Sequence, residues 1–299
     1  WRFEKEGNKK YAVHQVPYSE LPEGFLDRDQ LEDAKRTMSS LQFMMEYGAM
    51  MISDSDGVFK ASLIDACTRT SLFSPVLVGE LGKSYIMGVD PARTSDAFGM
   101  VVIELGSPNR VVYASGTQGM SFQQASNQLR YVFRKFNIVR IYMDSQGGGH
   151  TIRDLLEVKD DDGLAIVERS KALEGAEGAP VLELIHPTPQ NISDANFATL
   201  ALLESKSIWF PRPPLESDDN EARIYEVIED IKTQMMNIRV TSTRTGLMHF
   251  DTPAKGQRKD LYSAFILGCL CISRLGREEV TSQSELSLSS GLVVPINNS

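Results

Sequence analysis

Cysteine, long apolar runs and positive charge are all scarce in this sequence of 299 residues, and each shortage excludes a class of protein. Cysteine occurs only at Cys67, Cys269 and Cys271, which gives neither a metal-ligand spacing nor an even set for disulfides, so we expect packing thiols. The longest apolar run, Leu261 to Ile272, is too short to cross a bilayer and predicts a buried helix. We therefore expect a globular protein with no membrane partner.

Positive charge is the third shortage, because 31 Lys and Arg residues against 40 Asp and Glu leave a formal net charge of -9. Such a balance argues against a protein that coats nucleic acid, since Lys and Arg supply most non-specific affinity. One exception lies between residues 232 and 259, where the single acid Asp251 accompanies six bases: Lys232, Arg239, Arg244, Lys255, Arg258 and Lys259. This stretch fits either a hairpin with solvated charges or a surface for an anionic partner.

Nucleotide-binding loops are missing as well. The segment Gly79 to Ser84 imitates a phosphate loop, but that pattern needs a glycine where Leu77 stands and a helix where this chain predicts a strand. Three glycines at 147–149 follow a strand, yet the dinucleotide fingerprint requires a further glycine where Ile152 stands. We therefore predict no ATP site, and expect these glycines to bring the backbone close to a metal site or to DNA phosphate.

The pattern of apolar residues predicts an α/β fold. Ser84 to Asp90 is typical of a central strand, and Phe98 to Leu105 and Arg110 to Ala114 complete an antiparallel meander. Further strands are predicted over 139–143 and 181–185, and helices over 121–136, after 149, over 195–205, over 221–236 and from 260 to about 275. A meander followed by crossovers gives a mixed sheet, with antiparallel and parallel strands, flanked by helices.

Two acidic residues end strands of this predicted sheet, Asp90 after the first strand and Asp144 after the fourth. Strands separated by one helical crossover lie parallel and side by side, so we expect both carboxyl groups at one edge of the sheet. Two such carboxylates repel each other and lose hydration, and they stay anionic only if a cation lies between them. Ligands that are all oxygen favour Mg²⁺ or Mn²⁺ over zinc.

A third acid, Asp260, opens the last predicted helix and can reach the same edge if that helix packs over the sheet. Three acids can hold two metal ions, which activate a water and stabilise the leaving oxygen of an in-line phosphoryl displacement. Each acid also has a plainer explanation, because Asp90 and Asp144 can be turn formers and Asp260 can serve the helix dipole. Asp96 is a candidate outer ligand in a segment that is equally a plain loop.

Three segments carry a family resemblance: Met87-Gly-Val-Asp90-Pro-Ala with Asp96 after it, Ile141-Tyr-Met-Asp144-Ser-Gln-Gly-Gly-Gly149, and Arg258-Lys-Asp260-Leu-Tyr-Ser-Ala. In this order and at these separations they resemble the acidic motifs of the nuclease domain, the C-terminal domain of the large terminase subunit of tailed bacteriophages. The match covers about residues 80 to 276. It implies a ribonuclease H-like fold.

The resemblance further implies an endonuclease that cuts concatemeric double-stranded DNA during viral genome packaging, with two Mg²⁺ or Mn²⁺ ions. Asp90 would be the ligand shared by both ions, with Asp144 and Asp260 each completing one site. A hairpin over about 238–250 would lie beside this site and place Arg239 and Arg244 near the DNA. Lys255, Arg258 and Lys259 are further candidates for binding DNA. The implied partners are the portal protein, the small terminase subunit and an upstream ATPase domain, in the cytoplasm of the infected bacterial host.

The resemblance also divides the chain. Residues 1–78 are expected to be the partly helical linker or tail of an upstream ATPase domain, 79–276 the nuclease domain and 277–299 a flexible C-terminal tail. Many relatives have a second acid immediately before the third acidic residue, where this chain has Lys259. That departure leaves open whether the second metal binds weakly or whether Lys259 contacts the scissile phosphate. A part for His249 in the chemistry is equally open.

Other functions remain open at this point. A Holliday-junction resolvase or a transposase would share the fold and the acids but not the substrate. A non-catalytic module that docks on the portal would carry structural carboxylates and show no metal-stimulated cleavage. An actin-like ATPase would need glycine-rich phosphate loops, which this sequence lacks.

Overall fold

The computed structural model describes residues 16–22, 24–49, 57–68, 73–91, 97–172, 175, 177–213, 219–242, 248–254 and 256–290. The strands within these ranges are β1 (Tyr85–Asp90), β2 (Ala97–Glu104), β3 (Asn109–Gln118), β4 (Ile138–Asp144), β5 (Ile166–Glu168), β6 (Ala179–Ile185), β7 (Ile208–Trp209), β8 (Arg239–Ser242) and β9 (Met248–Asp251). The helices are α1 (Arg28–Thr37), α2 (Ser40–Glu46), α3 (Ala61–Ala66), α4 (Phe122–Lys135), α5 (Gly149–Glu157), α6 (Arg169–Ala172), α7 (Pro189–Glu204), α8 (Asp219–Met236) and α9 (Asp260–Ser290).

The main sheet has seven strands in the order β5-β6-β4-β1-β2-β3-β7, and β8 pairs with β9 as a separate hairpin. The predicted antiparallel meander of β1, β2 and β3 is confirmed, and β4 adds to β1 in parallel. Strands β6, β5 and β7 also pair in parallel. The predicted mixed sheet is therefore confirmed. Sequence patterns do not predict β5 and β7, because strands of three and two residues are too short to show a period.

Both faces of the sheet are buried, which explains the nearly continuous apolar run of β1. Tyr85, Met87 and Val89 pack on one face with residues of α4 and α5. Ile86 belongs to the second core, which α7, α8 and α9 share with the other face. Side chains alternate along a strand, so Asp90 lies on this second face, at the end that α9 covers.

Helix α9 lies directly on β1 and β2 because two glycines make room for it. A Cβ atom at Gly88 would stand 2.0 Å from the carbonyl oxygen of Ala264, and one at Gly99 would stand 2.7 Å from that of Asp260. Gly99 is also the register partner of Asp90. The first residue of α9 is therefore held beside the last residue of β1.

The C-terminal part of α9 corrects one expectation. The helix runs to Ser290, past the predicted end near residue 275. The flexibility expected of residues 277–299 stays a prediction. Glu278 helps to explain the extension, because its carboxylate lies 3.2 Å from a guanidinium nitrogen of Arg140 in β4. Residues 291–299 lie outside the described residues, and the division of the chain at residue 78 stays a prediction.

The three cysteines are buried free thiols, as expected for packing residues. Among the described residues, no helix has both the length and the apolarity that crossing a membrane requires.

Candidate active site

Three carboxyl groups from separate elements line one cavity of about 550 Å³. Asp90 is the last residue of β1, Asp144 is the last residue of β4, and Asp260 is the first residue of α9. The parallel register pairs Val89 with Met143, so the residues that follow them are neighbours at the same edge of the sheet. The structure thus brings together the three acids that are far apart in the sequence, and their role as metal ligands stays a prediction.

The electrostatics of Asp90 reflect this crowding. Desolvation raises the pKa of Asp90 well above its ordinary value, and the negative charges of Asp144 and Asp260 raise it further. A hydrogen bond with Ser263 and the positive charge of Lys259 act in the opposite direction. The carboxyl group of Asp90 therefore keeps its proton to a higher pH than an ordinary aspartate does, and added positive charge would counteract this.

Asp144 is perturbed less strongly. Burial raises the pKa of Asp144. A 2.7 Å hydrogen bond from the backbone N–H of Gln146 lowers it, and so does the electrostatic effect of the nearby His186. His186 directly follows β6, and its Nδ1 lies 3.0 Å from the hydroxyl oxygen of Ser145. Ile185 pairs with Asp144 in the sheet. A third parallel strand therefore brings an imidazole to the edge that carries the acids.

The glycines after β4 allow the turn that follows Asp144 to pack closely against Pro91. Gly147 and Gly148 have φ angles of 66° and 117°, a region that glycine adopts readily and other residues avoid. A Cβ atom at Gly147 would stand 2.2 Å from the carbonyl oxygen of Pro91. The glycines thus let the turn after Asp144 pack against the segment after Asp90. The predicted approach of this backbone to a metal or to DNA stays a prediction.

Lys259 lines the same cavity and is held by an acid that the sequence does not single out as functional. Its Nζ atom lies 2.8 Å from Oδ1 of Asp251, the last residue of β9. Nε2 of His249 lies 3.5 Å from the other oxygen of the same carboxylate. Partial burial is the largest single effect and acts to raise the pKa of Asp251. The hydrogen bonds from Lys259 and from the backbone N–H of Thr252, together with the positive charge of Lys259, outweigh it, and the pKa is lowered. Asp251 is therefore an anion that keeps the ammonium group at the rim of the cavity.

The other basic residues of the predicted DNA surface are dispersed. In the described part of the chain, Nη1 of Arg239 donates to the carbonyl oxygens of Met236 and Ile238, at 2.8 and 3.1 Å, and Arg239 is not in the lining of the acidic cavity. Arg258 lines a neighbouring cavity that also contains Asp260. Three predicted site residues lie outside the described residues: Asp96, Arg244 and Lys255.

The donor set suits a hard divalent cation, because three carboxylates offer only oxygen. Among the described residues, however, no three His, Cys, Asp or Glu residues form a ready metal cluster. Two of the acids are engaged locally instead, Asp144 with the N–H of Gln146 and Asp90 with Ser263. The acids are neighbours in one cavity, and sharing a cation would require their side chains to turn towards it.

Some residues of the cavity could have been found from the sequence and others could not. Ser263 stands three residues after Asp260, a spacing that places two side chains on the same face of a helix. His186 and Asp251 carry no comparable signal. Their positions depend on the pairing of β6 with β4 and on the packing of the hairpin, which no local pattern in the sequence specifies.

Known proteins resemble this chain in sequence and in fold. Residues 87–252, more than half of the chain, match the family model described as the terminase RNaseH-like domain. A curated relative, the probable terminase ATPase subunit of Haemophilus phage HP1 (strain HP1c1), is 25% identical over 136 residues. The aligned part covers 42% of this chain and 22% of that protein, so the chain spans about a fifth of its length.

Solved structures share the fold at low sequence identity. The large terminase nuclease of thermophilic phage G20c with bound magnesium is 13% identical, with a TM-score of 0.50 over 73% of this chain and 98% of that one. The large terminase of thermophilic bacteriophage D6E in complex with ADP is 9% identical, with a TM-score of 0.50 over 81% of this chain and 51% of that one. The predicted ribonuclease H-like fold is confirmed.

Proposed function

Because this chain belongs to the terminase RNaseH-like domain family, we propose that it is the part of a phage large terminase that cuts double-stranded DNA during genome packaging. The cut is a hydrolysis of the phosphodiester bond that depends on divalent cations. The observation that carries the proposal is that Asp90, Asp144 and Asp260, from three separate elements, line one cavity. The family match disfavours a resolvase, a transposase or a portal-docking module.

The residues that would hold the cations are Asp90, Asp144 and Asp260, and we extend the proposal to two ions of Mg²⁺ or Mn²⁺. Two observations support this fit. Every donor is an oxygen atom, and the other two acids raise the pKa of Asp90, so a shared cation would relieve a repulsion that already exists. When bound, divalent cations activate water and stabilise the charge that develops on the leaving oxygen.

The side chains around the acids would bind the DNA phosphate and orient the carboxyl groups. Three carboxylates against the one ammonium of Lys259 make the cavity negative, so a DNA phosphate approaches only when further positive charge compensates them. Lys259 stands at the rim, where its ammonium can meet the scissile phosphate, and its ion pair with Asp251 fixes where that ammonium stands. Ser263 orients the carboxyl group of Asp90 through their hydrogen bond.

We further propose that the chain acts within a larger packaging complex. The HP1 relative is named as an ATPase subunit, and the D6E large terminase was solved with ADP; this chain covers 22% of the first protein and 51% of the second. These names support an ATPase domain as its neighbour. The portal protein and the small terminase subunit are further proposed partners, and the cytoplasm of the infected bacterium is the proposed location.

Nicking of supercoiled plasmid DNA tests the proposal. We expect the chain to nick the plasmid with Mn²⁺ or Mg²⁺ and to stop when a chelator is added. Asp90→Ala should abolish nicking, because it removes the ligand that both ions would share. Asp33→Ala is the matched control, since it removes an exposed acid of α1 that pairs with Arg36. Equal nicking by a pure Asp90→Ala preparation, or cutting that ignores the chelator, contradicts the proposal.

A further inference from the structure

We propose that a second cavity, next to Asp260, binds the sugar-phosphate backbone of the DNA strand that leads to the acids. This inference rests on the proposed nuclease function and adds the path of its substrate. The cavity has a volume of about 510 Å³. We name it the amide cavity after its polar lining, which consists of Gln118, Thr233, Gln234, Asn237, Gln257 and Arg258.

The position of the amide cavity is the first argument. Asp260 lines both this cavity and the acidic one. Strand β2 begins and β3 ends at the edge where β1 ends, because Asp90 pairs with Gly99, and Ala97 pairs with Gln118. The amide cavity therefore continues the row of acids on the side of β2 and β3. A DNA strand is a polymer, so the phosphates that flank a scissile phosphate must lie on the surface to either side of the acids.

The chemistry of the lining is the second argument. Amide and hydroxyl side chains, together with Arg and Lys, are the groups that contact phosphate and sugar oxygens in protein–DNA complexes. Arg258 adds a positive charge to this lining. The acids among the described residues that form it are Asp230 and the shared Asp260. These two acids outnumber the one base, so a polyanion would be held here by Arg258 and by the neutral amide and hydroxyl groups rather than by net positive charge.

Unused hydrogen-bond donors are the third argument. The Oε1 atom of Gln234 accepts the backbone N–H of Tyr262 at 3.0 Å, which anchors the side chain at the start of α9 and leaves its amide nitrogen for another acceptor. Within the described ranges, the side-chain amides of Gln118, Asn237 and Gln257 have no hydrogen-bond partner in the protein. These amide groups therefore do not link elements of the fold, and they can donate hydrogen bonds to a ligand rich in oxygen acceptors.

The lining also indicates which part of DNA is bound. None of the described residues that line the amide cavity is aromatic. Single-stranded bases are usually held by stacking on aromatic rings, which this wall does not offer. The occupant is therefore the backbone, and we expect its contacts to be independent of DNA sequence.

The test introduces charge into the amide cavity without touching the acids. The double variant Gln118→Glu with Gln257→Glu places two carboxylates on its wall, at exposed positions. The matched control, Gln30→Glu with Asn127→Asp, adds the same charge at exposed positions outside both cavities. With a linear DNA duplex at low ionic strength, we expect the Kd of the double variant to rise about tenfold and that of the control less than about twofold.

A gain of affinity gives the second arm and stays informative if the double variant folds poorly. Gln257→Lys adds a phosphate contact, so Kd should fall and the slope of log Kobs against log salt should steepen by about 0.9. If the wild type cleaves DNA while both variants bind the duplex as the control does, the inference is overturned and the proposed function stands. If the wild type does not cleave with Mn²⁺ at all, the proposed function is overturned and the inference with it.

Discussion

At the scale of single residues, the electrostatics of the site depend on the balance between its three acids and the few positive charges beside them. Lys259 directly precedes Asp260, and its ammonium offsets part of the repulsion around Asp90. Asp251 forms an ion pair with that ammonium at 2.8 Å. The hairpin therefore adds a further carboxylate beside the site, from a different part of the chain.

Replacing Asp251 tests this balance. In Asp251→Asn the ammonium of Lys259 is released beside the three acids, where it competes with a divalent cation for them. We expect the Mn²⁺ concentration for half-maximal nicking to rise severalfold, while the Kd for DNA falls. The side chains of both partners are partly exposed, 44% for Lys259 and 41% for Asp251, so breaking the pair should cost less than about 1 kcal/mol of stability.

The matched control for this change is Asp251→Glu, which keeps the charge and should behave as the wild type. An unchanged Mn²⁺ requirement in Asp251→Asn would mean that the ion pair has no influence on the acids.

At the scale of secondary-structure elements, the position of α9 decides whether Asp260 reaches the other acids. The helix rests on β1 at Gly88 and on β2 at Gly99, at distances that leave no space for a side chain. Ser263, one turn into the helix, then reaches Asp90. The site is therefore built by packing a helix onto a sheet, and its geometry depends on the absence of two Cβ atoms.

Gly88→Ala should damage both stability and cleavage. Its methyl group would stand 2.0 Å from the carbonyl oxygen of Ala264, a backbone atom that moves only if the whole helix moves. We expect a loss of about 3 kcal/mol in the free energy of unfolding, measured with urea, and a loss of nicking activity.

Gly276→Ala is the matched control in the same helix, because a Cβ atom there meets nothing within 4 Å. It should stabilise the protein by about 0.5–1 kcal/mol, since alanine favours a helix. Equal stability of the two variants would show that α9 does not press on β1 as described.

The elements with long and regular patterns could be predicted from the sequence. The runs that end in Asp90 and Asp144 already place two acids at one edge, because crossover strands are parallel. The end of α9 could not be predicted, since Glu278 binds Arg140 from a distant strand. The positions of His186 and Asp251 at the site could not be predicted for the same reason. Each residue reaches the site through pairing or packing between segments far apart in the chain.

At the scale of the whole molecule, the acidic cavity influences the total stability of the fold. Desolvation raises the pKa of Asp90 and of Asp144, and for Asp90 the charges of its neighbours raise it further. A carboxyl group with a higher pKa in the folded state binds its proton more tightly there. Its contribution to stability is complete below the ordinary value of 3.8 and is lost as pH rises towards the folded-state pKa.

Without divalent cations, the stability that Asp90 and Asp144 contribute should therefore fall as pH rises above about 4, while carboxyl groups with a lowered pKa, such as Asp251, act in the opposite direction. Asp90→Asn should reduce this fall. The variant is expected to be more stable than the wild type at neutral pH in the presence of a chelator, although it does not cleave DNA. Urea unfolding midpoints from about pH 4 to pH 8 measure the difference. Parallel profiles for the two proteins would contradict the assigned electrostatics, and Asp33→Asn is the control for an exposed acid.

The central claim is that three acids from β1, β4 and α9 bind divalent cations together. The most direct measurement is an anomalous difference map from crystals of this chain soaked in Mn²⁺. We expect density for manganese in the acidic cavity, within coordination distance of carboxylate oxygens of Asp90 and at least one of Asp144 and Asp260. A map with no manganese in this cavity, from a preparation that cleaves DNA with Mn²⁺, would contradict the claim.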